Sequence, residues 1–73
     1  MTKSIPETDL KALRKKLGLT QREFAGKYHI EIETLKSWEQ GKRSPTDAVK
    51  LLLFLIEKMP SDIEKTLKKH GIS

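Results

Sequence analysis

Apolar residues recur along the chain at the spacing of α-helices. Leu10, Leu13 and Leu17 stand at i, i+3 and i+7, which places them on one face of a helix. Gly18 follows directly, and glycine is the residue that most often ends a helix. The pattern therefore predicts a first helix that buries its leucine face.

Three later segments show helical patterns of their own. They cover about residues 20–28, 31–40 and 46–58, the last of them beginning at a cap on Thr46. The positions predicted to face inward in the first two segments are Phe24, Ala25, Tyr28, Leu35 and Trp38. Gly41 should end the middle segment, and Pro60 should end the last one.

Capping signals agree with an all-helical chain. A Ser or Thr followed three residues later by Glu can satisfy the free amides at a helix start reciprocally. Three such pairs occur in the chain: Ser4 with Glu7, Thr20 with Glu23, and Ser61 with Glu64. We therefore predict five helices, the fifth beginning at Ser61, in one all-α domain that covers residues 1–73.

Size and composition narrow the possible functions. A chain of 73 residues buries only about 60% of the surface that its unfolded form exposes, so the core should be small. The sequence has no cysteine and only two histidines. We therefore expect no disulfide and no metal site. It also lacks a paired-carboxylate, Ser/His/Asp or glycine-rich phosphate motif, so we expect no enzymatic activity and no cofactor.

Charge and hydrophobicity point to a polyanionic partner in the cytoplasm. Fifteen basic and ten acidic residues give a net charge of +5, which favours a partner such as nucleic acid. The longest apolar run, residues 51–56, is six residues long, whereas a membrane-spanning helix needs about 20. Residues 1–6 lack the pattern of a signal peptide, so we expect a cytoplasmic protein with no membrane partner.

The link between the second and third helices carries the most specific signal. Only His29 and Ile30 separate the two helices, which forces them into a tight, steeply crossed pair. Residues 21–40, with the sequence QREFAGKYHIEIETLKSWEQ, resemble the twenty-residue helix-turn-helix of the lambda-repressor and Xre-like regulators. The apolar residues stand where that motif requires them: Phe24, Tyr28, Ile30, Leu35 and Trp38.

The resemblance extends over residues 10–59 and implies a compact, five-helix, lambda-repressor-like DNA-binding domain. Its motif core lies at residues 20–41. The family usually has glycine in the turn, where the backbone φ is positive, and this chain has His29. Histidine tolerates that region better than most residues, so we expect a modest strain and an intact motif.

Helical geometry identifies the face of the third helix that can meet DNA. A polar stripe lies opposite Leu35 and consists of Glu33, Lys36, Ser37 and Gln40. Ile32 lies at its edge, where a methyl group can contact thymine. The resemblance implies that Ile32, Glu33, Lys36 and Ser37 read bases in the major groove. Gln40 can also exchange hydrogen bonds with base edges.

Glu33 leaves two interpretations open. Its carboxylate can accept from the N4 amino group of cytosine, or it can pair with Lys36 three residues on. Glu31 has a simpler explanation, because a carboxylate at a helix start complements the positive end of the helix dipole.

Phosphate contacts are expected on both sides of the third helix, which is the one predicted to read bases. Thr20 and Gln21 open the second helix, where backbone amides and a side-chain amide can bind an anion. Lys42 and Arg43 follow the third helix and place positive charge beside the groove. Each of the two cations taken alone is also consistent with a solvated loop residue, so we predict phosphate binding for Lys42 and Arg43 together.

Arg14 and Glu39 are charged residues on apolar helix faces. Arg14 lies four residues after Leu10, and Glu39 lies four residues after Leu35. Charges on inner faces are rarely left unpaired. In the repressors that the chain resembles, an arginine of the first helix and a glutamate at the end of the third form a buried ion pair, and these positions match.

The fourth helix has more apolar surface than one small domain can cover. Residues 51–56 are apolar nearly all round, and the fifth helix offers only a stripe with Ile63 and Leu67. The family commonly dimerises through its C-terminal helices, so we expect a homodimer that binds double-stranded DNA at an inverted-repeat operator.

Two functional hypotheses follow. The first is a sequence-specific transcriptional repressor. Within this hypothesis, residues 42–60 look most like antitoxins of host-inhibition-of-growth toxin-antitoxin modules, which repress their own operon, and this resemblance implies a cognate toxin as a possible partner. The second is a protein-interaction module that uses the helix-turn-helix only as a scaffold. Salt-sensitive DNA binding distinguishes the two hypotheses.

Overall fold

The computed structural model describes residues 4–72, and this range contains five α-helices and no strand. The helices are α1 (Leu10–Lys16), α2 (Gln21–Lys27), α3 (Ile32–Glu39), α4 (Asp47–Lys58) and α5 (Pro60–Lys69). The predicted all-α, five-helix architecture is confirmed. The predicted ends of α2, α3 and α4 agree with the structure to within one residue.

The predicted capping box at the start of α1 is wrong. The helix begins at Leu10, and the Asp9 carboxylate caps it by accepting from the Ala12 amide at 3.1 Å. A helix starting after Ser4 would place Ile5 in the α conformation directly before Pro6. Steric conflict with the proline ring disfavours that conformation, so the helix begins later.

The predicted cap of α5 is wrong as well. Pro60 is the first residue of α5, so Ser61 already lies inside the first turn and cannot cap it. Proline suits a first helical position because its φ is already helical and because the amide at that position has no helical partner. Pro60 thus opens α5, while α4 ends at Lys58 as predicted.

The structure confirms the other predicted signals for helix starts and ends. The Thr20 hydroxyl accepts from the Glu23 amide at 3.1 Å, and the Glu23 carboxylate accepts from the Thr20 amide at 2.9 Å. Thr46 caps α4 by accepting from the amide of its third residue at 3.4 Å. Gly18 and Gly41 follow α1 and α3 with φ values of 72° and 75°, in the left-handed region that favours glycine.

The core is formed by α1, α2, α3 and α4. Its buried residues are Leu10, Leu13, Phe24, Ala25, Leu35, Leu53 and Ile56. Tyr28 and Trp38, predicted to face inward, are partly buried and pack against this cluster. Helix α5 contributes no buried residue and packs on the cluster through Ile63. Helices α2 and α3 pack against each other, as do α4 and α5.

No helix within residues 4–72 has the length and apolar content that crossing a membrane requires. The same part of the chain brings together no three His, Cys, Asp or Glu side chains that could hold a metal ion.

Candidate nucleic-acid interface

The turn between α2 and α3 fixes the angle at which the two helices meet. His29 has a φ of 59°, which confirms the positive value expected where the related regulators have glycine. The Ile30 amide then donates to the Ala25 carbonyl at 2.9 Å and closes the turn onto α2. Ala25 is 4% exposed, and its small side chain lets the two helices approach closely.

The predicted polar stripe lies on the solvent side of α3. Glu33 and Gln40 are exposed, Lys36 and Ser37 are partly exposed, and Leu35 on the opposite side is fully buried. We call these four polar residues the α3 stripe. Ile32 lies at the edge, where part of its side chain packs against the core and part stays exposed.

Glu33 and Lys36 interact within the α3 stripe. Their carboxylate and ammonium groups lie 3.6 Å apart, and the Glu33 side chain is 77% exposed. An exposed pair of this kind contributes little to stability. Both side chains therefore keep the freedom to exchange this contact for one with a base.

The loop after α3 folds back over the end of that helix. The backbone amides of Lys42 and Arg43 both donate to the Ser37 carbonyl, at 2.9 and 3.4 Å. The two exposed cations thus follow the α3 stripe directly and are tied to one of its members. This arrangement keeps two positive charges beside the C-terminal end of α3.

The start of α2 is less open to an anion than the sequence indicated. The Thr20 amide donates to the Glu23 carboxylate and is therefore occupied, whereas the Thr20 hydroxyl accepts from the Glu23 amide and keeps its own proton for an anion. The Gln21 side-chain amide donates to the Glu39 carboxylate at 3.2 Å. A side-chain amide has two N–H bonds, so one of them stays available to a phosphate.

Arg14 and Glu39 meet at the junction of α1, α2 and α3. The guanidinium donates to both carboxylate oxygens, from Nε at 2.9 Å and from Nη2 at 3.1 Å, and the side chains are only 12% and 5% exposed. The remaining nitrogen, Nη1, donates to the Leu19 carbonyl at 3.0 Å. The pair therefore holds the end of α3 against both α1 and the segment that leads into α2.

The electrostatics of this pair favour the charged forms. Burial by itself would raise the pKa of Glu39, but hydrogen bonds from Arg14 and Gln21 outweigh it and hold that pKa below its ordinary value. The hydrogen bond to Glu39 raises the pKa of Arg14 in turn, against the opposing effect of burial. The carboxylate therefore stays ionised although it is largely shielded from water.

Gln21 is the member of this cluster whose structural role sequence reasoning missed. It was predicted to bind phosphate, and its contact with Glu39 spans 18 positions along the chain. A polar residue directly after a helix cap carries no local signal for such a contact. The contact fixes the orientation of the Gln21 amide beside the end of α3.

Comparisons with known proteins agree with this geometry. A family model described as helix-turn-helix matches residues 10–53, whereas neither a curated protein nor a solved structure matches the chain. The matched range covers more than half of the chain and includes the α2–turn–α3 unit and the α3 stripe. The chain therefore belongs to the helix-turn-helix family of the Xre and lambda-repressor type, whose members are DNA-binding regulators.

Proposed function

We propose that this protein is a sequence-specific DNA-binding transcriptional repressor that reads the major groove with α3. The observation that carries the proposal is the α3 stripe, a wholly polar helix face that lies beside the paired cations Lys42 and Arg43 in a helix-turn-helix protein. An α-helix with its side chains is about 10 to 12 Å in diameter, which fits a major groove about 12 Å wide. The eight residues of α3 extend for about 12 Å along the helix axis.

Each member of the α3 stripe has a chemistry that suits base edges. Lys36 can donate to guanine O6 and N7, and Glu33 can accept from cytosine N4. Ser37 and Gln40 can both donate and accept, so they suit several bases. Ile32 offers methyl groups to thymine. Lys42, Arg43, Gln21 and the start of α2 near Thr20 would bind phosphates and set the register.

A first prediction distinguishes the contacts with phosphates from the contacts with base edges. Neutralising Lys42 and Arg43, as Lys42→Gln and Arg43→Gln, should weaken binding to all sequences about equally. It should also reduce the slope of log K against log salt by about one for each lost phosphate contact. Ser37→Ala or Glu33→Gln should instead change the preference at one base pair by about 1 to 3 kcal/mol. Titrations of a selected DNA site and its point variants at several salt concentrations measure both effects.

Lys69→Gln is the matched control, because it removes one positive charge from the exposed last turn of α5. It should leave both the base preference and most of the salt slope unchanged. Footprinting that finds no protected site, together with α3-stripe variants that bind like the parent, would refute the DNA-binding proposal. That result would favour the alternative of an interaction module.

The proposal includes a homodimer, which the exposed side of α4 supports. Leu51, Leu52, Leu55 and Met59 are 48%, 38%, 39% and 40% exposed and form one continuous apolar stripe. Adjoining exposed apolar side chains of this kind mark a candidate protein interface. In such a dimer we expect the two α3 helices to lie about 34 Å apart, which is one turn of duplex, and to select an inverted repeat.

A second prediction tests the dimer. Leu51→Lys and Leu55→Lys each place a charge in the proposed interface, so each should shift the protein to a monomer in analytical ultracentrifugation. Affinity for an inverted repeat should fall about 100-fold, because the two half-sites no longer bind as a linked pair. Ala12→Lys on the exposed side of α1 is the control and should leave the dimer intact. A parent protein that is monomeric at high micromolar concentration and protects one half-site would contradict the prediction.

Two finer roles belong to the same proposal. One is repression of the protein's own operon, and the other is the antitoxin role implied by the resemblance to host-inhibition-of-growth modules. A small toxin gene directly upstream of the coding sequence, whose product co-purifies with this protein, would support both. Operator binding without such a neighbour would leave the repressor proposal standing and remove the antitoxin role.

A further inference from the structure

A groove with a volume of about 530 Å³ lies between the end of α1 and the beginning of α5. Lys16, Leu17, Pro60 and Lys65 are among the residues that line it. Its volume falls within the range of about 300 to 1,000 Å³ that is typical of ligand sites. We call it the first groove.

A second groove, of about 320 Å³, lies between α2 and α5. Gly26, Leu67 and Ile72 form its apolar part, and it shares Glu64 and Lys68 with the first groove. The two grooves therefore adjoin along α5. Helix α5 has no buried residue; Ile63 packs against the core cluster, whereas Glu64, Leu67 and Lys68 line the grooves.

Positive charge dominates both grooves. Glu64 is the acidic residue among the groove linings, and Lys27 already pairs with it at 2.7 Å. Lys68 lies 3.7 Å from the same carboxylate and is 78% exposed. Lys16 and Lys65 also line the first groove. The two groove linings together thus contain four lysines and one carboxylate, which leaves a net positive charge along the grooves.

The grooves are separate from the α3 stripe. Lys16 lies two residues after Arg14, which corresponds to about 200° around a helix. Arg14 points to Glu39 at the end of α3, so Lys16 points away from that helix. No α3 residue lines either groove within the described part of the chain.

The apolar floor distinguishes the grooves from a simple phosphate-binding surface. Leu17 and Leu67 are partly exposed within them, and Ile72 is 46% exposed. A nucleic-acid backbone gains little from such a floor, because its binding rests on charge. A helix or strand that carries both carboxylates and apolar side chains matches the floor and the lysine rim together.

We propose that the two grooves along α5 form a docking surface for an acidic amphipathic segment of a partner protein. The apolar side chains of that segment pack on Leu17, Leu67 and Ile72. Its carboxylates pair with Lys16 and Lys65 on the rim, and with Lys68 between the grooves. This surface works beside DNA binding through α3 and does not depend on it.

The test uses a fluorescein-labelled synthetic helical peptide of about four turns, with leucine at i, i+3, i+4 and i+7 and glutamate elsewhere. Anisotropy should show binding to the full chain, and amide shifts in ¹⁵N spectra should change at groove residues but not in the α3 stripe. The combined variant Lys16→Glu and Lys65→Glu should weaken binding about tenfold or more. Ile72→Ser should weaken it without changing the charge.

Matched controls separate this proposal from general electrostatics. Lys15→Glu with Lys69→Glu makes the same change of charge at exposed residues outside both grooves, and it should retain most of the affinity. A peptide with serine in place of leucine should bind weakly. Equal binding of the serine peptide, absence of binding, or stronger shifts at the same residues with duplex DNA would each overturn the proposal. None of these results bears on operator binding by α3, which the salt titrations measure separately.

Discussion

Replacing Leu35 by alanine is expected to lower the free energy of unfolding by about 2 to 5 kcal/mol. Leu35 is fully buried, and among the residues of α3 it is the one that enters the core. Truncation removes both its apolar transfer energy and its contacts with neighbours in the core cluster, which includes Phe24 and Ile56. A domain of this size has a total stability of about 4 to 11 kcal/mol, so the loss is a large part of it.

Urea unfolding followed by circular dichroism measures this loss. Leu35→Met is the matched control, because it keeps the volume nearly constant and should cost less than about 1.5 kcal/mol. DNA affinity of the alanine variant should fall in proportion to the unfolded fraction, since Leu35 faces away from the α3 stripe. A loss below about 1 kcal/mol in the alanine variant would show that α3 is not held by this contact.

The helices that the sequence predicted well are those with strong local signals. The extent of α2 follows from the capping box at Thr20 and from the apolar spacing around Phe24, both within a few residues. The left-handed turn at His29 followed from the resemblance together with the short link. Where two local signals compete, the stronger steric one decides: Pro6 delays α1, and Pro60 replaces Ser61 as the start of α5.

Contacts between distant residues have weaker signals in a single sequence. Lys27 pairs with Glu64 across 37 positions, and Lys50 pairs with Glu7 across 43. Each is an ordinary surface residue in its own segment, and only the packing of the helices brings the partners together. That Arg14 and Glu39 each need a partner was predictable because both lie on apolar helix faces, where an unpaired charge would be costly. That they pair with each other was implied by the resemblance to the lambda-repressor type, and the structure confirms it.

The Arg14–Glu39 pair carries the prediction that links folding to the reading helix most directly. Arg14→Met alone should cost about 3 to 5 kcal/mol, because Glu39 is left desolvated without its cation, and Glu39→Leu alone should cost a similar amount. The double variant should cost much less than the sum of the two, since no orphan charge remains. Part of the cost persists, because the Leu19 carbonyl loses the donor that Arg14 supplies.

The pH dependence gives a second readout of the same pair. In the parent, the pKa of Glu39 lies below its ordinary value of 4.5. The stability that Glu39 contributes is therefore fully present above about pH 4.5. It is lost as the pH falls through the lower pKa that Glu39 has in the folded protein. In Arg14→Met, burial without the cation should raise that pKa instead. The difference in unfolding free energy between the parent and Arg14→Met should therefore become smaller as the pH is lowered. The reason is that the protonated carboxyl has no charge to desolvate.

The chain also contains an ion pair that is more exposed than Arg14–Glu39 and serves as its reference. Lys27 and Glu64 are 31% and 44% exposed, so Lys27→Met and Glu64→Leu should each cost under about 1 kcal/mol and should be nearly additive. A double-mutant cycle by urea unfolding at neutral pH compares the two pairs under one set of conditions. If the Arg14–Glu39 cycle gives small, additive costs like those of the Lys27–Glu64 cycle, the pair acts as a solvated surface contact. The position of α3 against α1 and the start of α2 would then rest mainly on apolar packing of Leu35, Ile32 and Trp38.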